Sequence, residues 1–343
     1  MAKTLEARKD DRSVGAFESS TSKRRYWLLL AFLAVLAALS TAGLLAYGNP
    51  MDFGTRGYWL IAERRMDSVI AMAIVAVCQA VATVAFQTVT NNRILTPSIM
   101  GFESLYVAIH TATVYFFGTS GLLAARSLEM FLLQIAVMVG LSLLLYSWLL
   151  TDSEANLHAM LLVGIVIGGG LASLSTFMQR MLTPSDFDIL TARLFGSVNN
   201  ADPAYYPLAI PLVVLAVVLM LLNAQRLNVM GLGRDAAVNL GVDFRWHAIY
   251  TLVLVSVLMA VSTALVGPMT FLGFLVATLA YQFTDTYDHR YIFPMAALLG
   301  FCVLTSAYFV MNHIFYAQGV VSIIIELVGG ATFLVVILRK GRL

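Results

Sequence analysis

Charged residues are scarce in this chain. Asp, Glu, Lys and Arg make up 12% of its 343 residues, and 60% are hydrophobic; soluble domains usually carry about 25% charged residues. No soluble core could hide this much apolar surface, so the composition excludes a soluble globular protein and indicates an integral membrane protein. Net charge is only +2, too small to suggest a nucleic-acid partner. Cysteine is nearly absent. Cys78 and Cys302 each lie inside an apolar run and read as small buried hydrophobes, with no spacing for disulfides or metal. The five histidines, His110, His158, His247, His289 and His313, are scattered without an i, i+4 pair, so no helical metal site is expected. No Gly-x-x-x-x-Gly-Lys-Ser/Thr stretch occurs, which excludes ATP hydrolysis by this chain. Ser173 and Ser175 have no sequence signal pairing them with His110, so an intramembrane hydrolase lacks its nucleophile and base.

What is present is a series of long apolar runs separated by short polar breaks. Barrel strands would alternate over about ten residues, whereas a helical span needs roughly 20 apolar residues. The runs predict an all-α polytopic membrane protein with about ten transmembrane helices, near 26–47, 67–89, 98–117, 128–150, 157–181, 204–225, 247–266, 269–283, 291–312 and 319–338. The eighth is the shortest and opens at Pro268. Residues 1–25 are polar and basic and read as a disordered cytoplasmic tail, leaving 26–343 as the membrane domain. The first run is long enough to span and shows no clear cleavage site, so it is not read as a signal peptide. With the amino terminus inside, fifteen of the 21 Lys and Arg residues fall on inner segments, which supports both termini in the cytoplasm. Thr183-Pro184-Ser185-Asp186 predicts a short outer helix over 184–195, stopped by Gly196.

Two polar segments carry most of the information. In Thr90 to Tyr106, Pro97 removes a backbone donor and pushes Thr96 out of the α region, and Gly101 loosens the chain again. This predicts a helix end, a tight polar corner and a re-entering helix, tolerated only where protein or a water-filled path covers it. In the loop 226–246, Gly233 and Gly241 bracket about two turns of expected helix, with Ala236, Ala237 and Leu240 on one face. Such a helix either docks in a partner's groove or lies plainly at the interface.

The run Asn91-Asn92-Arg93-Ile94-Leu95-Thr96-Pro97-Ser98-Ile99-Met100-Gly101-Phe102 resembles the loop after the second helix of permease subunits of bacterial iron-siderophore and cobalamin ABC importers, the FecCD type. It is closest to the iron-siderophore branch that often works with a second, different permease. Leu227-Asn228 through Leu240-Gly241-Val242, Gly267-Pro268 through Gly273-Phe274, Asp288-His289-Arg290 and Gly319-Val320-Val321-Ser322 resemble further family segments in the same order, from about Leu60 to Arg339. Two departures stand out: Arg234 replaces the family's Glu, and Ala277-Thr278 replaces its Pro-His.

The resemblance implies a type II ABC importer permease fold and ATP-driven import of an iron-siderophore complex by alternating access. It implies a second permease, two ATPase subunits and a substrate-binding lipoprotein or periplasmic protein as partners, in the bacterial plasma (inner) membrane. The chain itself would bind no cofactor, ATP and Mg being held by the ATPase. Leu232, Gly233, Arg234, Asp235, Ala236, Ala237, Leu240 and Gly241 would couple to the ATPase. Asn92 and Ile94 would form the inner gate, with 151–156 a second candidate by position. Gly164 and Gly168 would line the path or simply pack, and Arg56, Arg64, Arg65 and Arg193 would meet acids of the binding protein. The rival reading is a proton-coupled secondary transporter using Glu326, Glu129 and His110 as a relay. Glu103, at the start of the third span, is a further intramembrane acid.

Overall fold

The computed structural model describes residues 15–124, 127–149, 157–314 and 321–340. Their regular elements are helices: α1 Ser20–Ala46, α2 Arg56–Val89, α3 Phe102–Ala124, α4 Leu128–Leu149, α5 Leu157–Arg180, α6 Pro184–Leu194, α7 Tyr206–Leu222, α8 Ala224–Met230, α9 Arg234–Asn239, α10 Phe244–Val266, α11 Leu272–Thr284, α12 His289–His313 and α13 Val321–Lys340. Each of the ten expected spans coincides with a helix. Six of them, α1, α2, α5, α7, α10 and α12, are long and apolar enough to cross a membrane, and α4, α11 and α13 carry shorter apolar runs. α3 contains a break at Gly118, where φ is +69°, one residue past the expected end of the third span. The expected outer helix is α6, whose Thr183 hydroxyl accepts from the Asp186 amide at 3.3 Å.

The centre of the bundle is α2, with α10 and α12 packed along it. Within the most apolar window of α2, 83% of the residues are buried inside the chain, against 17% for α1, whose apolar sides lie on the outside of the bundle. Small residues bring the central helices together. A Cβ on Gly273 of α11 would lie 2.2 Å from Thr83 Oγ1 on α2, so the two helices meet at a glycine. A polar pair also crosses between helices inside the bundle, where Gln79 Nε2 donates to Ser262 Oγ at 3.2 Å.

Two expectations are corrected. α2 begins at Arg56, eleven residues before the expected start at 67, and Thr55 caps it by accepting from the Tyr58 amide. Its charged first turns run past the apolar span by about 16 Å at 1.5 Å per residue, so a hydropathy criterion alone stops short of the helix. The tail expectation for 1–25 fails over its last residues. Phe17 is buried, its ring tilted against Tyr26 and edge-on to Tyr291, and the helix starts at Ser20 with Ser19 as its cap. An aromatic side chain in a basic segment was enough to anchor it. The preceding residues, 1–14, lie outside the described residues.

The corner after α2 has the expected form. Thr96 is extended (φ −123°, ψ 152°), Pro97 opens a short 3-10 turn, Pro97–Met100, and Gly101 takes φ +91° before α3 starts. Thr96 and Ser98 are buried, so this irregular backbone re-enters the bundle covered by protein.

Candidate functional site

The end of the bundle where α2 stops and α12 starts gathers both informative segments. Asn91 has φ +49°, a left-handed conformation that Asn tolerates. The Asn92 side chain accepts from the Ile94 amide at 2.9 Å, and Gln87 Nε2 donates to the Arg93 carbonyl at 2.7 Å. Asn92 therefore builds the turn, while half-buried Ile94 faces a cavity. The Arg93 guanidinium lies over the Tyr281 ring, 4.6 Å from its centroid. The cavity, about 520 Å³, is enclosed by this loop, by Asn228 and Leu232, and by Tyr281, Tyr287 and His289. The alternative gate candidate, 151–156, lies outside the described residues.

Across the cavity stands a ledge made of α8 and α9. α8 is held down by buried Ala224, Leu227 and Met230. Gly233, at φ +98°, reverses the chain into α9, and Gly241, at φ +83°, ends it. There the Val242 amide donates to the Ala237 carbonyl and the Gly241 amide to that of Val238, closing the last turn. Ala237 is fully buried, whereas Leu232, Val238 and Leu240 are 65%, 54% and 63% exposed. Asp235 sits in the first turn of α9, where the helix dipole favours an acid, and Asp235 and Arg234 are both exposed. This corrects the expected face. Ala236 is half-buried and Ala237 points inward, so they do not share an outer surface with Leu240. Both alanines are small enough to lie against the bundle, and the ledge offers leucine and valine instead.

The glycines of α5 divide. A Cβ on Gly168 would meet Gly101 Cα at 3.0 Å, so Gly168 is where α5 closes on the re-entrant corner, and the Gly164 carbonyl lies beside the same residue. Gly169 and Gly170 face open space.

At the opposite end, the four arginines are not equivalent. Arg65 Nη1 donates to the carbonyls of Leu44, Leu45 and Tyr47, at 3.1, 3.4 and 2.8 Å, and Nη2 to Gly48 at 3.1 Å. It completes the carboxyl end of α1. Arg193 donates to the Asn200 carbonyl at 3.2 Å. Of the four expected docking cations, Arg65 and Arg193 thus have guanidinium groups that also satisfy backbone oxygens. Arg56 and Arg64 are exposed, and Arg64 lines a cavity of about 650 Å³ with Asn199, Asn312 and His313.

The proton-relay candidates are not brought together. His110 Nδ1 pairs with the Tyr106 carbonyl at 3.1 Å, and Glu129 is exposed. Among the described residues no hydrogen bond or ion pair joins Glu326, Glu129 and His110. Glu103 accepts from Thr270 at 2.7 Å, the polar contact that ties α3 to the start of α11. Ser173 and Ser175 bond carbonyls of their own helix, Gly169 and Leu171. Sequence reasoning missed the cluster of Thr88, Asn228, Asp288 and His289 behind the cavity. Its only trace was two short motifs, Leu227-Asn228 and Asp288-His289-Arg290, too far apart in the chain to suggest contact.

Residues 26–339 match the FecCD transport family. The chain belongs to that family. The resemblance seen in its polar segments is therefore borne out across nearly the whole membrane domain. This FecCD chain is 55% identical to the petrobactin import system permease protein FatC of Bacillus anthracis, over 97% of its own length and 94% of the relative's. It is 35% identical to the petrobactin import system permease protein YclO of Bacillus subtilis (strain 168), over 93% of its own length and 99% of the relative's. A solved structure described as "an inward-facing conformation of a putative metal-chelate type ABC transporter" superposes with a TM-score of 0.79, covering 91% of this chain and 99% of that one at 20% identity. The expected ABC importer permease fold is borne out with it. The chain is a membrane-embedded permease of an iron-siderophore importer family.

Proposed function

We propose that this chain is one permease of a heterodimeric, ATP-driven importer of ferric petrobactin in the bacterial plasma (inner) membrane. The carrying observation is the 55% identity to FatC over 97% of the chain. FatD of the same organism, also a petrobactin import permease, is only 23% identical to this chain, which favours a pair of unlike permeases over a homodimer. One of two ATPase subunits docks on the ledge, and the ATPases, not this chain, hold ATP and Mg. Leu232, Val238 and Leu240 supply apolar contact, and the arginine at 234 replaces the family's acid in the surrounding charge pattern. The ledge end and both termini then face the cytoplasm. A substrate-binding lipoprotein or periplasmic protein delivers the chelate at the opposite end, where Arg56 and Arg64 are exposed. Alternating access opens the path between the two permeases, and the 91–94 loop closes it on the inner side.

The test is uptake of radiolabelled iron in a strain lacking its own petrobactin permeases. Restored uptake of iron-petrobactin, dependent on co-expressing a second permease and on ATP, is the expected result. Uptake driven by an imposed pH gradient without the ATPase would establish the secondary-transporter reading instead.

A further inference from the structure

Behind the cavity, a chain of hydrogen bonds joins the ledge to the last turn of α2. The His289 imidazole, at the start of α12, stands between them. Its Nδ1 is 2.6 Å from Asn228 Oδ1 on α8, and its Nε2 is 2.7 Å from Thr88 Oγ1 on α2. The Asn228 amide is oriented by two further bonds, since Oδ1 accepts from the His289 backbone amide at 3.0 Å and Nδ2 donates to Asp288 Oδ1 at 3.1 Å. An amide oxygen can only accept. Nδ1 therefore carries the ring proton, and Nε2 faces the Thr88 hydroxyl as an acceptor, sharing that hydroxyl's single proton with the Val84 carbonyl at 2.9 Å. Asp288 is itself held in a fork with Arg290, at 2.6 Å for the shortest contact. Thr88, Asp288 and His289 are all buried, and half-buried Asn228 joins them at the cavity wall.

Thr88 also supports the gate loop. Its carbonyl accepts from the Asn91 amide at 3.2 Å, and the neighbouring Gln87 carbonyl accepts from Asn92 at 3.0 Å. The Tyr281 hydroxyl interacts with Thr88, and the Tyr281 ring carries Arg93. The ledge and the gate loop thus share one set of partners, although no regular helix runs between them.

We propose that Asn228, His289 and Thr88 are positioning residues that carry displacement of the α8–α9 ledge to the 91–94 loop. This rests on the reading of the ledge as the ATPase docking surface. A push on the ledge then shifts the end of α2 instead of bending α8 alone.

The test uses the complete importer, with both permeases and both ATPases, in proteoliposomes, and reads siderophore moved per ATP hydrolysed. Thr88→Val keeps the side-chain shape and removes the hydroxyl; Thr88→Ser returns it. The Thr88→Val complex is expected to retain its ATPases and hydrolyse ATP while transport per ATP falls about tenfold, the scale of one buried hydrogen bond. Thr88→Ser is expected to recover to within about twofold. Asn228→Ala combined with Thr88→Val should add little to either alone, because both interrupt one chain. A wild-type transport ratio in Thr88→Val, or a Thr88→Ser as impaired as Thr88→Val, overturns the proposal. Leu232→Glu tests the docking reading separately: if that complex keeps its ATPases, the ledge is not the docking surface, whatever Thr88→Val does.

Discussion

Replacing Arg65 separates a structural arginine from a docking one. Its guanidinium meets four carbonyls at the carboxyl end of α1, two of them, Tyr47 and Gly48, at 2.8 and 3.1 Å. The other two, Leu44 and Leu45, are oxygens of the last turn that a helix end leaves without intrahelical partners. A hydrogen bond to a charged group contributes about 1.5–3 kcal/mol when sheltered. Here the exposed Tyr47 and Gly48 carbonyls can recover water, so about 1 kcal/mol for each of the two part-buried bonds, to Leu44 and Leu45, is the better scale. The cation at a helix carboxyl terminus adds about 0.3–1 kcal/mol. Arg65→Ala should therefore cost roughly 2–3 kcal/mol. Arg65→Lys should cost about half of that, since it keeps the charge but loses the planar fork. Arg64→Ala, at an exposed side chain, should leave stability unchanged and slow association of the binding protein, with a weaker dependence on salt. Thermal unfolding in detergent and association rates at low and high salt read the two effects independently. An Arg65→Ala protein that unfolds at the wild-type temperature yet docks slowly would refute the capping argument.

Three other outcomes are expected. Val238→Cys should crosslink to the ATPase and react with a thiol reagent from the ledge side, while Ala237→Cys stays unreactive because that position is fully buried; equal labelling would mean α9 is rotated. Gly273→Ala should destabilise by about 1–3 kcal/mol, because its Cβ would lie 2.2 Å from Thr83 Oγ1 and the helices must separate; adding Thr83→Ala should restore much of the loss in a thermal-unfolding assay, and no rescue would place the strain elsewhere. Glu326→Gln should leave ATP-driven uptake in proteoliposomes largely intact, since Glu326 has no bond to His110 or Glu129; loss of uptake would reinstate an acid relay.

The sequence by itself determined the class, the ten helical segments, the polar corner at 91–101 and the short helical turn between Gly233 and Gly241. Each rests on a local property: an apolar run of membrane length, a proline that removes a donor, glycines that accept positive φ. Local properties also explain where the reading fell short. The start of α2 lies in charged turns beyond the apolar stretch, which hydropathy does not register. Phe17 was one aromatic among basic residues, and only its partners Tyr26 and Tyr291 make it part of the fold. Helical spacing put Ala236, Ala237 and Leu240 together, but which face turned inward was decided by the bundle against which α9 lies. The same holds for the arginines. Charge and position made Arg56, Arg64, Arg65 and Arg193 alike, and only the carbonyls brought within about 3 Å by tertiary packing set Arg65 and Arg193 apart. The contact of Thr88, Asn228 and His289 joins positions up to 201 residues apart, a proximity that packing alone creates.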